Sequence, residues 1–165
     1  MGARRRKSKK RLSTNAHYQR QLRRTTFFLD RSFGGKLILE ELRKAGLRVE
    51  PHRKWFRHNT QDERWLEVVG EKKWIVLMRD KMIARRVLEL DALINAGVRT
   101  FVLVEGSLPD VENAKIIIGA IPKIFAMIAE NRFPFIARVR KDSAVSLWKT
   151  EPKIQKGVHR NRRKK

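Results

Sequence analysis

Short apolar runs alternate along this chain with longer stretches in which apolar residues recur at helical spacing. Short, mainly apolar runs at 27–29, 74–78 and 100–104 predict strands that are covered on both faces, and the segment 47–50, which is ended by Pro51, predicts a further strand. Apolar residues at every third or fourth position predict helices over 36–45, 82–96 and 109–131, with a shorter one opening at Asp62. The alternation predicts an α/β fold, in which a central, mainly parallel sheet lies between two layers of helices.

Particular residues predict how these elements begin and end. Thr60 and Glu63 have the spacing of a capping box, which would start the helix that opens at Asp62. Pro122 is expected to kink or split the long helix, because proline removes a backbone donor and its ring clashes with the preceding turn. The apolar segments 133–140 and 144–148 then predict a last pair of strands.

The excess positive charge is concentrated at the two ends of the chain. Of the formal net charge of +23, residues 1–25 carry +10 and residues 149–165 carry +7, which leaves +6 for residues 26–148. We therefore predict a basic, disordered arm over 1–25, one domain over 26–148 and a basic tail over 149–165. Such segments bind polyanions by releasing counterions from phosphate, so nucleic acid is the expected partner. A solubilising tail, or attraction to a membrane surface, is the alternative.

Composition excludes several classes of protein. The chain has 165 residues and no cysteine, so a disulfide framework, a cysteine nucleophile and a thiolate zinc site are ruled out. No apolar run approaches the roughly 20 residues that span a bilayer. The basic start is not followed by the apolar segment of a secretory signal. We therefore expect a cytoplasmic protein that does not associate with membranes.

Aspartates stand at the ends of two predicted strands. Asp30 follows the first strand directly, and Asp80 follows the third strand after one residue. Parallel strands present their carboxyl ends at the same edge of a sheet, where open α/β sheets bind ligands, so both acids are expected there together with Asp62. Carboxylate oxygens are the ligands that Mg²⁺ and Mn²⁺ prefer. The cluster predicts metal-assisted chemistry on a phosphodiester, with Glu105 as a fourth ligand after the fourth strand.

Each of these acids also has a structural interpretation. Asp30 could cap the turn that follows its strand, and Asp80 could be the N-cap of the helix near Met82. Asp62 could simply complement the dipole of its helix.

Residues 52–59 form a basic segment that contains the aromatic pair Trp55 and Phe56. Aromatic rings interleaved with cations can stack on bases and bind phosphates, whereas the alternative is that both rings enter the core. Arg79 could pair with Asp80 or bind a substrate phosphate. The predicted nucleic-acid contacts are Arg31, Arg53, Lys54, Trp55, Arg57, Arg79 and Lys81.

A resemblance to a known family rests on four short segments, which read FFLDRS at 27–32, LRKAG at 42–46, DERWL at 62–66 and WIVLMRD at 74–80. Together they resemble the PIN-like domains, in the compact branch related to VapC-type toxins. The resemblance covers about residues 26–148 and implies an endoribonuclease dependent on Mg²⁺ or Mn²⁺. It implies that the catalytic acids are Asp30, Asp62 and Asp80. The chain departs from the family pattern at Met78, where threonine or serine is common.

Three hypotheses follow. The first is a metal-dependent ribonuclease that acts on RNA. One version of this hypothesis is that the protein is the toxin of a toxin–antitoxin pair, in which the antitoxin covers the acidic cleft. The second is a non-catalytic RNA- or DNA-binding module on a degenerate PIN-like scaffold. The third, a phosphatase-like hydrolase, would need a second aspartate where this chain has Ser32.

Overall fold

The structure is a computed structural model that describes residues 15–150. Its helices are α1 over 15–24, α2 (Lys36–Lys44), α3 (His52–Trp55), α4 (Asp62–Glu71), α5 (Val87–Ala96) and α6 (Asp110–Glu130). Its strands are β1 (Thr26–Leu29), β2 (Arg48–Pro51), β3 (Ile75–Met78), β4 (Arg99–Leu103), β5 (Phe135–Val139) and β6 (Val145–Thr150). Two short 3₁₀ turns, Arg31–Phe33 and Lys81–Ala84, follow β1 and β3.

The six strands form one sheet in the order β2-β1-β3-β4-β5-β6. The first five strands are parallel, and β6 runs antiparallel to β5. From β1 the chain crosses to β2 on one side and then to β3 on the other side, so the strand order reverses between β1 and β3. In open α/β sheets a crevice forms at such a reversal, beyond the carboxyl ends of the strands.

Strand β3 and all of β1 after Thr26 are apolar, because both faces of the sheet are covered there. Phe27 and Leu29 face one core, to which α2 and α6 contribute, whereas Phe28 faces the other. There Phe28 stacks on Trp65 of α4 at a ring-centroid distance of 5.2 Å. Successive side chains on a strand point to opposite faces, so a continuous apolar run supplies both cores at once. The predicted fold class, an α/β fold with a mainly parallel sheet between helices, is confirmed.

The helix predicted over 82–96 is interrupted, and this prediction was wrong in its first part. Lys81–Ala84 forms a 3₁₀ turn, and the backbone at Arg86 is extended, with φ −80° and ψ 124°. Asp80 accepts a hydrogen bond from the N–H of Met82 at 2.8 Å and so stabilises the turn. The α-helix α5 begins only at Val87.

One further local prediction was wrong, and another was wrong in part. The residue before α4 is Gln61, which makes no side-chain cap bond, so Thr60 and Glu63 do not form the capping box. The adjacent carboxylate of Asp62 is instead engaged by side chains, as described below. The long helix α6 continues through Pro122, whose side chain is exposed, so the helix is not split there, and the alternative of a kink stays a prediction.

The ends of the domain extend slightly beyond the predicted boundaries. Within the predicted arm, residues 15–24 are helical, and Leu22 is buried in the core on the α2 and α6 side. Tyr18 packs edge-on against Phe125 at 5.9 Å. The remainder of the arm, 1–14, and the tail beyond Thr150 lie outside the described residues. Across 15–150, no helix combines the length and apolarity that crossing a membrane requires.

Candidate active site

Asp30 lies directly after β1, where the strand order reverses. Its backbone N–H donates to the carbonyl of Leu77 at 3.0 Å, which ties it to β3. Its Oδ2 accepts a hydrogen bond from the N–H of Ser32 at 3.0 Å, so it does cap the turn that follows. The carboxylate is nevertheless placed in the crevice, because Asp30 lines two neighbouring cavities of about 240 and 290 Å³.

Asp62, the first residue of α4, is held by an arginine from the end of β1. Its Oδ1 accepts hydrogen bonds from Arg31 Nη2 and from Trp65 Nε1, each at 2.7 Å. Arg31 Nη1 also donates to the carbonyls of His58 and Thr60, each at 2.8 Å. Arg31 therefore ties the segment before α4 to β1 and brings the Asp62 carboxylate towards Asp30.

Asp80 belongs to a second carboxylate–arginine network. Its Oδ2 lies 3.0 Å from Arg86 Nη1, and the same nitrogen lies 2.8 Å from Glu89 Oε1. Arg79 does not take the role of partner, since its guanidinium donates to the carbonyl of Gly106 at 3.4 Å. Of the two roles left open for Arg79, pairing with Asp80 is not observed, and binding of a substrate phosphate stays a prediction.

Glu89 is a site residue that sequence reasoning missed. It is buried, and its Oε2 has no hydrogen-bond partner within the described residues. Burial raises the pKa of Glu89 to about 6, and the neighbouring Asp62 carboxylate adds to the rise while Arg86 opposes it. The signal in the sequence was an acid in the otherwise apolar start of a helix, three residues after an arginine.

The three predicted aspartates line one cleft of about 290 Å³, together with Ser32 and His58. The fourth predicted ligand, Glu105, does not line that cleft; its Oε1 accepts the N–H of Lys141 at 3.1 Å, in the turn between β5 and β6. The structure thus brings Asp30, Asp62 and Asp80 to one cavity and leaves Glu105 out.

The chemistry of these side chains fits a hard divalent cation, which takes oxygen ligands from separate loops. Aspartates from three elements face one cleft, and the unpartnered Oε2 of Glu89 lies nearby. Among residues 15–150, however, no three histidines or acids lie close enough to hold an ion. Arg31 and Arg86 at present offset the charge of the acids. Metal binding by these residues stays a prediction.

The predicted nucleic-acid contacts are in different environments. Arg31 is engaged with Asp62, Lys54 pairs with Glu50 at 2.7 Å, and Arg53 lines the cavity beside Asp30. Arg57 and Lys81 are exposed.

The two adjacent aromatic residues differ. Phe56 packs on Phe28 at 5.9 Å, whereas Trp55 is 41% exposed and donates to Glu50 at 2.9 Å. Part of the predicted loop is the short helix α3. Of the two rings, Trp55 is therefore the one that is partly exposed at the surface.

His52 lies behind the cleft, buried among aromatic rings. Its ring centroid is 5.4 Å from that of Phe56 and 6.0 Å from that of Phe28. Burial lowers the pKa of His52, although the nearby charge of Asp30 partly opposes this. The folded protein therefore resists protonation of this imidazole.

We expect His52 to make folding pH-dependent. A histidine in the unfolded chain takes up a proton near pH 6.5, whereas His52 in the folded state does so only at lower pH. The free energy of unfolding should therefore fall as the pH drops below about 6.5. Urea unfolding of His52→Leu should show a weaker loss between pH 7 and 5 than the wild type. His58→Leu, at an exposed site, controls for loss of an imidazole, and equal slopes in wild type and His52→Leu would contradict the assignment.

Comparison with known proteins finds a family model that matches the segment carrying this cleft. Residues 25–105 match the family model described as PIN like domain. The chain therefore carries a PIN-like domain related to that of VapC ribonucleases. The matched segment runs from β1 to the end of β4 and contains Asp30, Asp62, Asp80 and Glu89.

Among curated proteins, the chain is 30% identical over 78 residues to the putative ribonuclease VapC45 of Mycobacterium tuberculosis. The alignment covers 45% of this chain and 56% of the relative, so the chain spans just over half the length of that relative. No solved structure matches.

Proposed function

We propose that this chain is a metal-dependent endoribonuclease whose active site is the cleft between the ends of β1 and β3. The observation that supports this most strongly is that Asp30, Asp62 and Asp80 line one cavity at the reversal of strand order. All three lie in the segment that matches the PIN-like family. RNA is the proposed substrate because the related protein is named a ribonuclease.

In this proposal Asp30, Asp62 and Asp80 hold Mg²⁺ or Mn²⁺, with Glu89 at the margin of the site. A bound cation of this type polarises a phosphate oxygen and lowers the pKa of a bound water. Arg86 is half exposed, so its side chain can leave Asp80 and turn to a phosphate of the substrate. Arg31 is fixed by two backbone carbonyls and keeps Asp62 in position.

An open groove of about 840 Å³ continues from the cleft along α4 and α5, and is lined by Asp62, Arg86 and Leu88. Leu88 is 70% exposed there. We propose that RNA follows this groove to the acids. In a toxin–antitoxin pair, an antitoxin would cover the same groove and block access. The chain would meet both RNA and antitoxin in the cytoplasm.

A specific observation also favours the alternative of a non-catalytic RNA- or DNA-binding module. Asp62 and Asp80 are each paired with an arginine, at 2.7 and 3.0 Å, so their charge is offset without a metal. A binding module with these ion pairs would need no metal ion, so chelators would not change its affinity for nucleic acid.

The two functions are separated by incubating labelled single-stranded RNA with the full chain in Mg²⁺, in Mn²⁺ and in EDTA. The ribonuclease predicts internal cleavage that requires a divalent ion and stops in EDTA. Binding in EDTA without cleavage in either metal, at any enzyme concentration, would reject the ribonuclease and support the binding module.

A further inference from the structure

A separate cavity of about 660 Å³ lies at the opposite edge of the sheet, where the strands begin. The first residues of four neighbouring strands line it, namely Thr26 of β1, Arg48 of β2, Ile75 of β3 and Arg99 of β4. These strands are four or five residues long, which puts this edge about 13–17 Å from the acidic cleft. The two sites therefore lie at opposite edges of the sheet.

The charge lining this cavity is positive throughout. Five of its lining residues are basic and none is acidic; they are Arg24, Arg48, Lys72, Lys73 and Arg99. None of the five forms a salt bridge with any residue between 15 and 150. Arg31 in the acidic cleft and Arg86 in the adjoining groove are, by contrast, each paired with a carboxylate. Like charges gathered in one cavity repel each other, and a bound anion would remove that cost.

Arg99 is the most constrained of these cations. Its guanidinium carbon lies 4.2 Å from the ring centroid of Phe133, which holds the group in place. Its Nε is buried and has no hydrogen-bond partner within the described residues. A guanidinium that lines a cavity and pairs with no carboxylate among residues 15–150 is suited to binding a phosphate through its terminal nitrogens.

Aromatic rings lie beside the cations. Trp74 lines the cavity, and the exposed Trp55 packs edge-on against it at a centroid distance of 5.0 Å. Lys72 Nζ lies 4.8 Å from the ring of Trp55 and 5.3 Å from the ring of Trp74. A cationic groove with adjacent aromatic rings is the arrangement by which proteins bind single-stranded nucleic acid without reading its sequence.

We propose that this basic cavity is a second nucleic-acid site, which binds the phosphate backbone of a single strand. Arg48 and Arg99 lie on strands three positions apart in the sheet, so their backbones are about 14 Å from each other. The cations of the cavity are thus spread along the sheet edge rather than gathered at one point, which fits a linear polyanion. The proposal does not depend on cleavage at the acidic cleft. It assigns to the opposite edge of the sheet a binding role that requires no metal.

The test measures binding of a fluorescently labelled single-stranded oligonucleotide in EDTA, by anisotropy, over a range of salt concentrations. The test variant combines Arg24→Gln with Lys73→Gln, both exposed residues of the cavity. Losing two phosphate contacts should reduce the slope of log K against log salt by about 1.4, and weaken binding roughly 25-fold at 0.1 M salt. RNA and DNA oligonucleotides are both used, since the backbone chemistry is shared.

The control variant combines Lys115→Gln with Lys123→Gln, which removes the same charge from exposed positions on α6. The slope of log K against log salt for this control should lie within about 0.3 of the wild-type slope, whereas the cavity variant should change it by about 1.4. Equal effects of the two variants, or no effect of either, would overturn the proposal. Vesicles containing anionic lipid form a further arm, and cavity-dependent binding to vesicles but not to oligonucleotides would also overturn it. Thermal melting of each variant checks that the fold is intact.

Discussion

Replacing Asp30 with asparagine is expected to lower metal-dependent cleavage of RNA by at least about 100-fold. In the proposed site this carboxylate holds the cation, and losing a ligand should remove roughly 3 kcal/mol of transition-state stabilisation. Asparagine has nearly the same shape and keeps an oxygen that can accept the N–H of Ser32. Activity should therefore fall without loss of the turn after β1. Initial rates on labelled RNA in Mn²⁺ and Mg²⁺ measure the effect.

Asp142 offers a matched control for this substitution. Its Oδ1 accepts the N–H of Ala144 at 3.0 Å, the same contact with the residue two positions on that Asp30 makes with Ser32. It lies in the turn between β5 and β6 and does not line the cleft. Asp142→Asn should therefore cleave RNA at the wild-type rate. Equal activity of Asp30→Asn and Asp142→Asn would remove Asp30 from the active site.

Measuring oligonucleotide binding in EDTA distinguishes a loss of catalysis from a loss of substrate binding. Asp30→Asn removes a negative charge, so its affinity for RNA should be unchanged or slightly increased. Its melting temperature should not fall, because the substitution neutralises a buried carboxylate and introduces no cavity. A variant that binds RNA and melts normally yet does not cleave would assign Asp30 to the chemical step.

The sequence was enough to place Asp30 and Asp80 because each follows a continuous apolar run. Such a run predicts a buried strand, and the carboxyl ends of parallel strands share one edge. The crevice between β1 and β3 then follows from strand order alone. Asp62 needed more, because its position depends on Arg31, which reaches from the end of β1 to its carboxylate.

The partners of Asp80 could not be predicted in the same way. The apolar spacing of the predicted helix 82–96 continues past Arg86, so periodicity gave no sign of the break there. That break coincides with the contact of Asp80 with Met82 and with the ion pairs that join Arg86 to Asp80 and Glu89, and apolar spacing carries no information on such polar contacts. Glu89 became a site residue only because α5 starts after the break and packs on α4.

The adjacent rings of Trp55 and Phe56 show a similar limit. The sequence did not distinguish the two aromatic residues, because either could have been exposed at the surface or buried in the core. In the structure α3 ends at Trp55, and the backbone at Phe56 is extended, so the two side chains separate. Phe56 enters the core beside Phe28, and Trp55 remains on the surface next to Trp74. The difference is set by where a one-turn helix ends, which local propensity does not fix.

Gly70→Ala is expected to lower the free energy of unfolding by about 1–3 kcal/mol, the usual cost of overpacking. In an exposed helix the same change would stabilise by about 0.5–1 kcal/mol, because alanine has less backbone freedom to lose. Here a methyl group at Gly70 would overlap the carbonyl oxygen of Ala96 and lie 3.0 Å from its carbonyl carbon. The obstacle is backbone, so α4 and α5 would have to move apart.

That movement should also reach the active site, because α4 carries Asp62 and α5 carries Glu89. Urea unfolding and thermal melting measure the stability, and a loss of about 2 kcal/mol should lower the melting temperature by roughly 4–8 °C. Gly106→Ala is the control, since a methyl group there meets no atom within 4 Å. Its stability should equal or slightly exceed that of the wild type. If Gly70→Ala were as stable as Gly106→Ala, the close approach of α4 to α5 would be wrong, and with it the position of Glu89 beside Asp62.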